Sequence, residues 1–398
     1  MNYDKKTIRD IDVSGKRILL RCDFNVPHDK KTGEIHDATR IVASLPTIRY
    51  LLDRGASVII TSHMGRPHGV WKPENSLYSA RDHLEKLLGI PVPMTTDVLG
   101  PDTKAKCAAL RPGQVMLIEN LRFCLEEEKN DPNFAKELAS LADIFVFDAF
   151  GCAHRAHAST AGVADYLPAV AGFLVEKELA FLGKALDEPK RPLVAILGGA
   201  KVSDKIGVIK SLLQKADTII IGGGMSYTFQ VARGGKIGTS LLDEGNIEFA
   251  RNMIAKAEEL GVKLLLPMDT QVTKEFSGDA EPTLVPSTAI PDDCMGMDIG
   301  PKTIQLFTDA IRGAGTVIWN GPMGVFEFPA FSKGSNAIAQ ALAGLDGAVT
   351  IVGGGDSVSA VEKTGYADKI SHISTGGGAA LEFLEGLVLP GIACLADR

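Results

Sequence analysis

Four absences narrow the reading of this 398-residue chain before any motif is considered. No CxxC pair occurs, and six cysteines (22, 107, 124, 152, 294 and 394) are scattered along the length. Such spacing predicts free thiols in a reducing cytosol rather than a disulfide or zinc framework. No apolar run approaches the roughly 18 residues of a membrane-spanning helix. The opening segment MNYDKKTIRDIDVSGKR has no apolar core of signal-peptide type, so a cytoplasmic protein without membrane attachment is expected. No GxxxxGK[ST] loop, HRD or DFG triplet is present, and DAFG at 148–151 does not supply one. These gaps exclude a P-loop and the protein-kinase signature. Finally, no Gly-Gly pair occurs before residue 190.

Positive charge is also in short supply. The chain carries 42 basic against 49 acidic residues, a net charge of −7, which disfavours nucleic acid and anionic membranes as partners. An acidic protein that binds anions must gather its cations locally. Apolar content of 45% and charged content of 23% are ordinary for a globular enzyme, and the length implies two or three domains.

Short β-branched runs alternate with amphipathic segments throughout. Strands are expected at 17–21, 57–61, 115–119 and 144–147, then at 193–197, 218–221, 263–266, 316–319, 349–352 and 372–374. Helical patterns such as TRIVASLPTIRYLLDRG, DPNFAKELASLA and NIEFARNMIAKAEELG lie between them. Apolar runs flanked by helices predict parallel strands buried on both faces, hence α/β architecture with right-handed crossovers. The segment FLVEKELAFLGKALDEPKRP (173–192) reads as one long helix ending at Pro189 and Pro192. It serves either as an interdomain connector or as an ordinary domain helix.

The two halves use different tools at their strand ends. In the second, Gly198-Gly199, Gly222 to Gly224, Gly353 to Gly355 and Gly376 to Gly378 each follow an apolar run. Glycine lets backbone N–H groups come close to a phosphate chain. Each junction alone is a tight βα turn; four together signal a ligand at the carboxyl ends of a parallel sheet. Lys201 and Lys205, four residues apart at a helix start, are expected to share a face. They are solvated surface cations or they flank an anion. Asp356 either caps a helix or holds Mg²⁺ beside a nucleotide. Glu327 is a surface acid or an acceptor for ribose hydroxyls.

In the first half the strand ends carry arginine instead, in Arg21-Cys-Asp-Phe-Asn25, His63-Met-Gly-Arg66, Glu119-Asn-Leu-Arg122 and His154-Arg155. Arginine grips a small anion with a planar fork of donors. Asp23 and Asn25 suit hydroxyl recognition or an Asx turn. Arg40 opens a helix, where a cation is disfavoured unless an anion is near. His63, Arg66, Arg122 and Arg155 come from further strand ends and would converge on one crevice. HRAH (154–157) lacks a third ligand at metal-site spacing.

The segments RCDFNVP, DATRI, SHMGRP, ENLRF, DAFGCAHRAHAST, LGGAKVSDK, GGGM, WNGPMGVFE, GGGDS and STGGGAALEFLEG, in this order, closely resemble the phosphoglycerate kinase family over the whole chain. Cys22, Met64, Ser357 and the HGVWK stretch (68–72) depart slightly from the family pattern.

The resemblance implies two Rossmann-like α/β domains, each a parallel sheet flanked by helices, joined by a hinge helix. Residues 1–172 with a returning 387–398 would bind phosphoglycerate, 173–189 would form the interdomain helix, and 190–386 would bind nucleotide. It implies reversible phosphoryl transfer from 1,3-bisphosphoglycerate to Mg-ADP, giving 3-phosphoglycerate and ATP; a monomer is expected, since no large apolar surface helix argues against one. By carry-over, Asp23, Asn25, Arg40, His63, Met64, Gly65, Arg66, Arg122 and Arg155 contact the phosphoglycerate. Gly199, Lys201, Lys205, Gly223, Asn320, Glu327, Gly353, Gly354, Gly355, Asp356 and Ser357 contact the nucleotide, with Asp356 on its Mg²⁺. Arg40, Lys205, Gly376, Gly377 and Gly378 act on the migrating group. A nucleotide-binding regulator without chemistry, or a kinase of another small carboxylate, are the rival readings. The first leaves the arginine series unexplained.

Overall fold

The apolar runs of the first half form five parallel strands in a computed structural model that describes residues 3–398. They are β1 (Arg17–Cys22), β2 (Ser57–Thr61), β3 (Val115–Leu117), β4 (Ile144–Asp148) and β5 (Ala169–Ala171), in sheet order β3-β2-β1-β4-β5. Every residue of β2, β3, β4 and β5 is buried, as a sheet covered on both faces demands. Arg21 pairs with Thr61 and Cys22 with Asp148, so the strand ends finish level on one edge.

The second half repeats the scheme with six parallel strands. These are β6 (Leu193–Leu197), β7 (Thr218–Ile221), β9 (Lys263–Leu265), β14 (Thr316–Asn320), β15 (Val349–Gly353) and β16 (His372–Ile373), ordered β16-β15-β14-β6-β7-β9. Asn320 pairs with both Leu197 and Gly353, and Leu197 pairs with Ile221, so the carboxyl ends are again level. Between them lie a two-stranded pair, β8 (Lys236–Ile237) with β12 (Ala289–Ile290), and an antiparallel β11-β10-β13 sheet (Thr283–Pro286, Asp269–Thr273, Met295–Ile299).

One compact unit holds the chain up to Ala180 together with Val388–Arg398, and the other is Phe181–Leu387. The final residues pack within the first unit, where Lys5 Nζ donates to Leu395 O at 3.0 Å and pairs with Asp397 at 2.7 Å. The 173–187 segment is not the uninterrupted α-helix expected from its pattern. It runs as α-helix over Phe173–Glu178, widens to a π-helical stretch over Leu179–Gly183, and resumes over Lys184–Asp187. The buried positions Glu178, Leu179, Leu182, Gly183, Ala185 and Leu186 face inward with one extra residue per turn, which a π-turn accommodates.

Local start signals behave as their chemistry predicts. Asp131 caps Pro132–Ala139, its carboxylate accepting from Asn133 N at 2.9 Å and Phe134 N at 3.0 Å, with proline at the first helical turn. Replacing Asp131 by Ala should cost about 1 kcal/mol of stability, measured as a lowered urea midpoint at unchanged slope.

Candidate active site

Level strand ends place the arginine-bearing turns of the first unit side by side. Arg21, the last but one residue of β1, is 1% exposed, and Arg122 and His63 are 3% and 4% exposed. Arg21 donates from Nε to Ser159 Oγ at 2.8 Å, from Nη1 to Cys22 O, and from Nη2 to His63 Nδ1 at 3.2 Å. Arg122 donates to Gly65 O at 2.8 Å and pairs with Glu128 at 3.4 Å. Arg40, in the first turn of the Thr39–Asp53 helix, pairs with Asp23 at 3.0 Å and donates to Asn25 O at 3.0 Å. The anion expected beside Arg40 is therefore supplied in part by the protein itself.

Asp23 also accepts from Asn25 N at 3.1 Å, so the Asx turn forms and the carboxylate still reaches Arg40. Asn25 Oδ1 accepts from Gly65 N at 2.9 Å, and Asn120 Nδ2 donates to Met64 O at 2.8 Å. These bonds lock the 63–66 turn. Gly65 has φ +62°, and a Cβ there would run into the Asn75 amide, so both backbone and space require glycine.

Four guanidiniums (Arg21, Arg40, Arg122 and Arg155) act on His63, and burial is the largest cause holding its imidazole well below its ordinary pKa. The same surroundings hold His157 down at about 4. Arg155 is half-buried, while Arg66 is exposed and makes no hydrogen bond or ion pair among the described residues. Asp23, His63 and Cys152 lie within 4.8 Å of one another, a spacing that fits a metal ion. Their electrostatics do not fit one: burial pushes the Cys152 thiol up to about 12, and guanidiniums crowd the site.

In the second unit the glycine turns bound a cavity of about 430 Å³. Gly199, Gly223 and Gly224 form one wall, Tyr227, Phe276 and Phe328 supply aromatic surface, and Glu327 and Asp356 sit at its edge. A Cβ on Gly223 (φ +63°) would overlap the backbone of Gly199 and Pro322, so these turns are pressed together without side chains. Lys205 is 7% exposed and donates to Asn320 O at 2.7 Å and Asn320 Oδ1 at 2.5 Å. Asn320 Nδ2 is buried with no hydrogen-bond partner among the described residues, a donor left for a ligand.

Lys201 and Lys205 do not share a helix face. Lys201 lies exposed in the loop, close enough to Asp243 to help depress its pKa, whereas Lys205 turns inward as the N-cap of Ile206–Leu213. Of the two readings of Asp356, the capping one is not met. The N-cap of Gly355–Thr364 is Gly354, and Asp356 is exposed, capping nothing and making no hydrogen bond or ion pair among the described residues. Ser357 is buried and accepts from Gly321 N, so it ties two strand ends together. Gly353 ends β15, and Gly376 donates to Ser374 Oγ at 3.1 Å. Gly377 (φ +51°) and Gly378 then begin the Gly378–Leu384 helix.

Sequence reasoning named neither Glu127 nor Ser159 nor Asn120, and it quoted Arg21 without giving it a place in the site. The signal for Arg21 was a charge at the end of an otherwise apolar strand run. Glu127 offered none, since it sits within a run of three glutamates that reads as a solvated face. The unusual HGVWK stretch places Trp71 against Phe123, ring centroids 6.3 Å apart, beside a separate cavity of about 570 Å³. Two carboxylates lining that cavity, Asp97 and Asp131, already accept from helix-start N–H groups.

Compared with known proteins, residues 8–387 match the family model described as phosphoglycerate kinase. A phosphoglycerate kinase of Moorella thermoacetica is 57% identical over 394 residues, covering 99% of this chain and all of the relative. One from Clostridium botulinum is 58% identical over 400 residues, with both chains fully covered. Among solved structures, phosphoglycerate kinase from Coxiella burnetii superposes with a TM-score of 0.91 at 44% identity, and that from Pyrococcus horikoshii with 0.81 at 31%. Each covers 98% of both chains.

Burial is the main cause that lowers the Lys205 pKa to about 8. The unfolded chain keeps that proton to about pH 10.4, so between these values the unfolded state binds more protons. This group alone therefore makes the folded state more stable as pH rises through that window. Carbon-13 NMR of the labelled lysine Cε should show a titration near 8; a midpoint above 10 would contradict the burial argument.

Proposed function

The chain belongs to the phosphoglycerate kinase family, carrying out the glycolytic phosphoryl exchange between 1,3-bisphosphoglycerate with ADP and 3-phosphoglycerate with ATP, and on that premise we propose how its residues divide the work. The first unit takes the phosphoglycerate and the second the nucleotide, with 173–189 as the connecting hinge. The observation that carries this division is the state of the cations. Arg21 and Arg122 are buried and hydrogen-bonded, and Arg40, Arg66 and Arg155 remain at least partly open beside them. Four guanidiniums against the three carboxylates Asp23, Glu127 and Glu128 leave that cluster net positive before Arg66 is counted. In the second unit one buried ammonium, an orphaned amide donor and glycine-walled space suit a polyphosphate with an apolar base.

Phosphoryl transfer needs positioning and charge neutralisation more than covalent chemistry. Arg40 and Lys205 are assigned to the oxygens of the migrating group, and the N–H groups at Gly377 and Gly378 assist them, whereas the Gly376 N–H is already held by Ser374 Oγ at 3.1 Å. Gly199, Gly223, Gly353, Gly354 and Gly355 let the nucleotide phosphates lie against backbone, with Lys201 facing them from the loop. Glu327 accepts from ribose hydroxyls, and Asn25 and Asp23 read the hydroxyl of the three-carbon acid. Since donor and acceptor are assigned to different units, the reaction requires the hinge to bring them together, and closure excludes water that would hydrolyse the acyl phosphate.

Asp356 fits Mg²⁺ because its carboxylate is exposed at the cavity edge with no structural partner. Bound with the nucleotide, the ion would neutralise phosphate oxygens as a hard cation. A cytoplasmic monomer acting on these small molecules is the simplest form of the enzyme.

Arg40→Ala should lower kcat by about two to three orders of magnitude, the range seen on deleting a transition-state donor. A coupled assay with ATP and 3-phosphoglycerate measures it, and a change confined to KM would refute the role. Asp356→Asn should weaken ADP binding in the presence of Mg²⁺ and leave metal-free ADP binding unchanged, as read by calorimetry. Equal weakening in both would remove Asp356 from the metal.

A further inference from the structure

Glu127 is 1% exposed within the arginine cluster, yet it hydrogen-bonds to none of the residues assigned to phosphoglycerate. Its Oε1 accepts from Ser159 Oγ at 2.5 Å and its Oε2 from Ser159 N at 3.0 Å. The Ser159 oxygen accepts from Arg21 Nε at 2.8 Å, and Arg21 Nη2 lies 3.2 Å from His63 Nδ1. The direction of every bond follows from chemistry. Arginine has no acceptor, so Ser159 must accept from it and give its own single proton to Glu127. For the same reason His63 Nδ1 must accept, and a neutral ring then carries its hydrogen on Nε2.

We propose that Glu127 is a positioning residue which, through Ser159, holds Arg21 against His63 and so fixes His63 as the neutral tautomer with its donor on Nε2. The relay puts a hydrogen-bond donor, not a general base, into the phosphoglycerate site. Burial and the four guanidiniums keep the ring uncharged, consistent with this assignment. Burial pushes the Glu127 carboxyl up from its ordinary pKa, opposed by Arg21, the two Ser159 hydrogen bonds and Arg122, while His157 Nδ1 lies at 4.0 Å. The proposal rests on the assignment of this cluster to phosphoglycerate.

Two substitutions separate positioning from bulk charge. Glu127→Gln keeps the shape but removes a negative charge, which by attraction alone would tighten an anion. Lost positioning would loosen it. Ser159→Ala breaks the relay without changing any charge. Both variants are expected to raise KM for 3-phosphoglycerate about tenfold, the order of one charge-assisted hydrogen bond, with KM for ATP unchanged. Nitrogen-15 NMR of His63 should show a single Nε2–H tautomer in the parent enzyme and a mixture in both variants. An unchanged or lowered KM for 3-phosphoglycerate, or an unaltered tautomer, would overturn the proposal. So would a parallel rise in both KM values with a lower melting temperature, which marks a purely structural role. Arg122→Lys is the control for the site itself. If it leaves KM for 3-phosphoglycerate unchanged, the cluster does not bind that substrate, and the His63 tautomer still decides whether the relay exists.

Discussion

Three cationic or potentially cationic side chains are buried together at the end of one sheet, and the first unit is organised around the cost of that. Arg21, Arg122 and His63 are each less than 5% exposed. An uncompensated buried charge costs about 3–5 kcal/mol, so each must be answered by acceptors or by loss of its proton. Arg21 is answered by Ser159, the Cys22 carbonyl and a histidine nitrogen, and Arg122 by the Gly65 carbonyl and Glu128. His63 gives up its charge instead. The compensation is incomplete by design of the composition: carbonyls and a neutral ring satisfy donors without cancelling charge, so a net positive field remains for an anionic substrate.

The second unit meets the same demand with less. One ammonium, on Lys205, is buried on a backbone carbonyl and an amide oxygen rather than on a carboxylate. Asp204 and Asp356 raise its pKa only partly against burial. A lysine buried without a carboxylate gains from any anion that comes within reach, because the anion supplies the missing counter-charge. The glycine turns make this possible geometrically. Strand ends held level by parallel pairing of Leu197, Ile221, Asn320 and Gly353 bring four turns together, and any Cβ on Gly223 would push them apart. Arginine forks and bare backbone are thus two different ways for strand ends to offer donors to an anion.

Much of this was legible from the chain alone, because buried parallel strands announce themselves as apolar runs and their ends as glycine or arginine turns. All ten expected strands correspond to strands in the structure. β5 was missed because Ala169–Ala171 is too short and too alanine-rich to stand out. In the antiparallel β11-β10-β13 sheet, β10 was missed because Asp269–Thr273 is largely polar, and β11 and β13 because TLVP and MGMDI are short runs interrupted by proline, glycine or aspartate. Periodicity also misled twice. It joined 173–192 into one helix, since a π-turn leaves the apolar spacing nearly intact, and it put Lys201 on an α-helix that starts only after Lys205. Glu127 was invisible because burial of a glutamate depends on where distant Ser159 and Arg21 fall in space, not on its neighbours in sequence.

Protonation offers an independent check on the chemistry. Burial lifts two carboxyls, Asp148 and Asp298, to about 7, where a proton carrier would be useful. Both are occupied as anchors for backbone. Asp148 accepts from Leu174 N at 2.9 Å at the start of the Phe173–Glu178 helix, and Asp298 accepts from Gly334 N at 2.8 Å and Ile299 N at 2.9 Å. His63 and His157, both acted on by the arginine cluster, are held below the neutral range, chiefly by burial. A reaction that had to remove a proton from its nucleophile would be poorly served by these groups. Transfer between a carboxylate and a nucleotide phosphate has an attacking oxygen that is already an anion, so its barrier is lowered by cations and N–H donors held in place. That is the chemistry in which this protein has invested its buried side chains, and it explains why its arginines are fixed so much more firmly than its acids are poised.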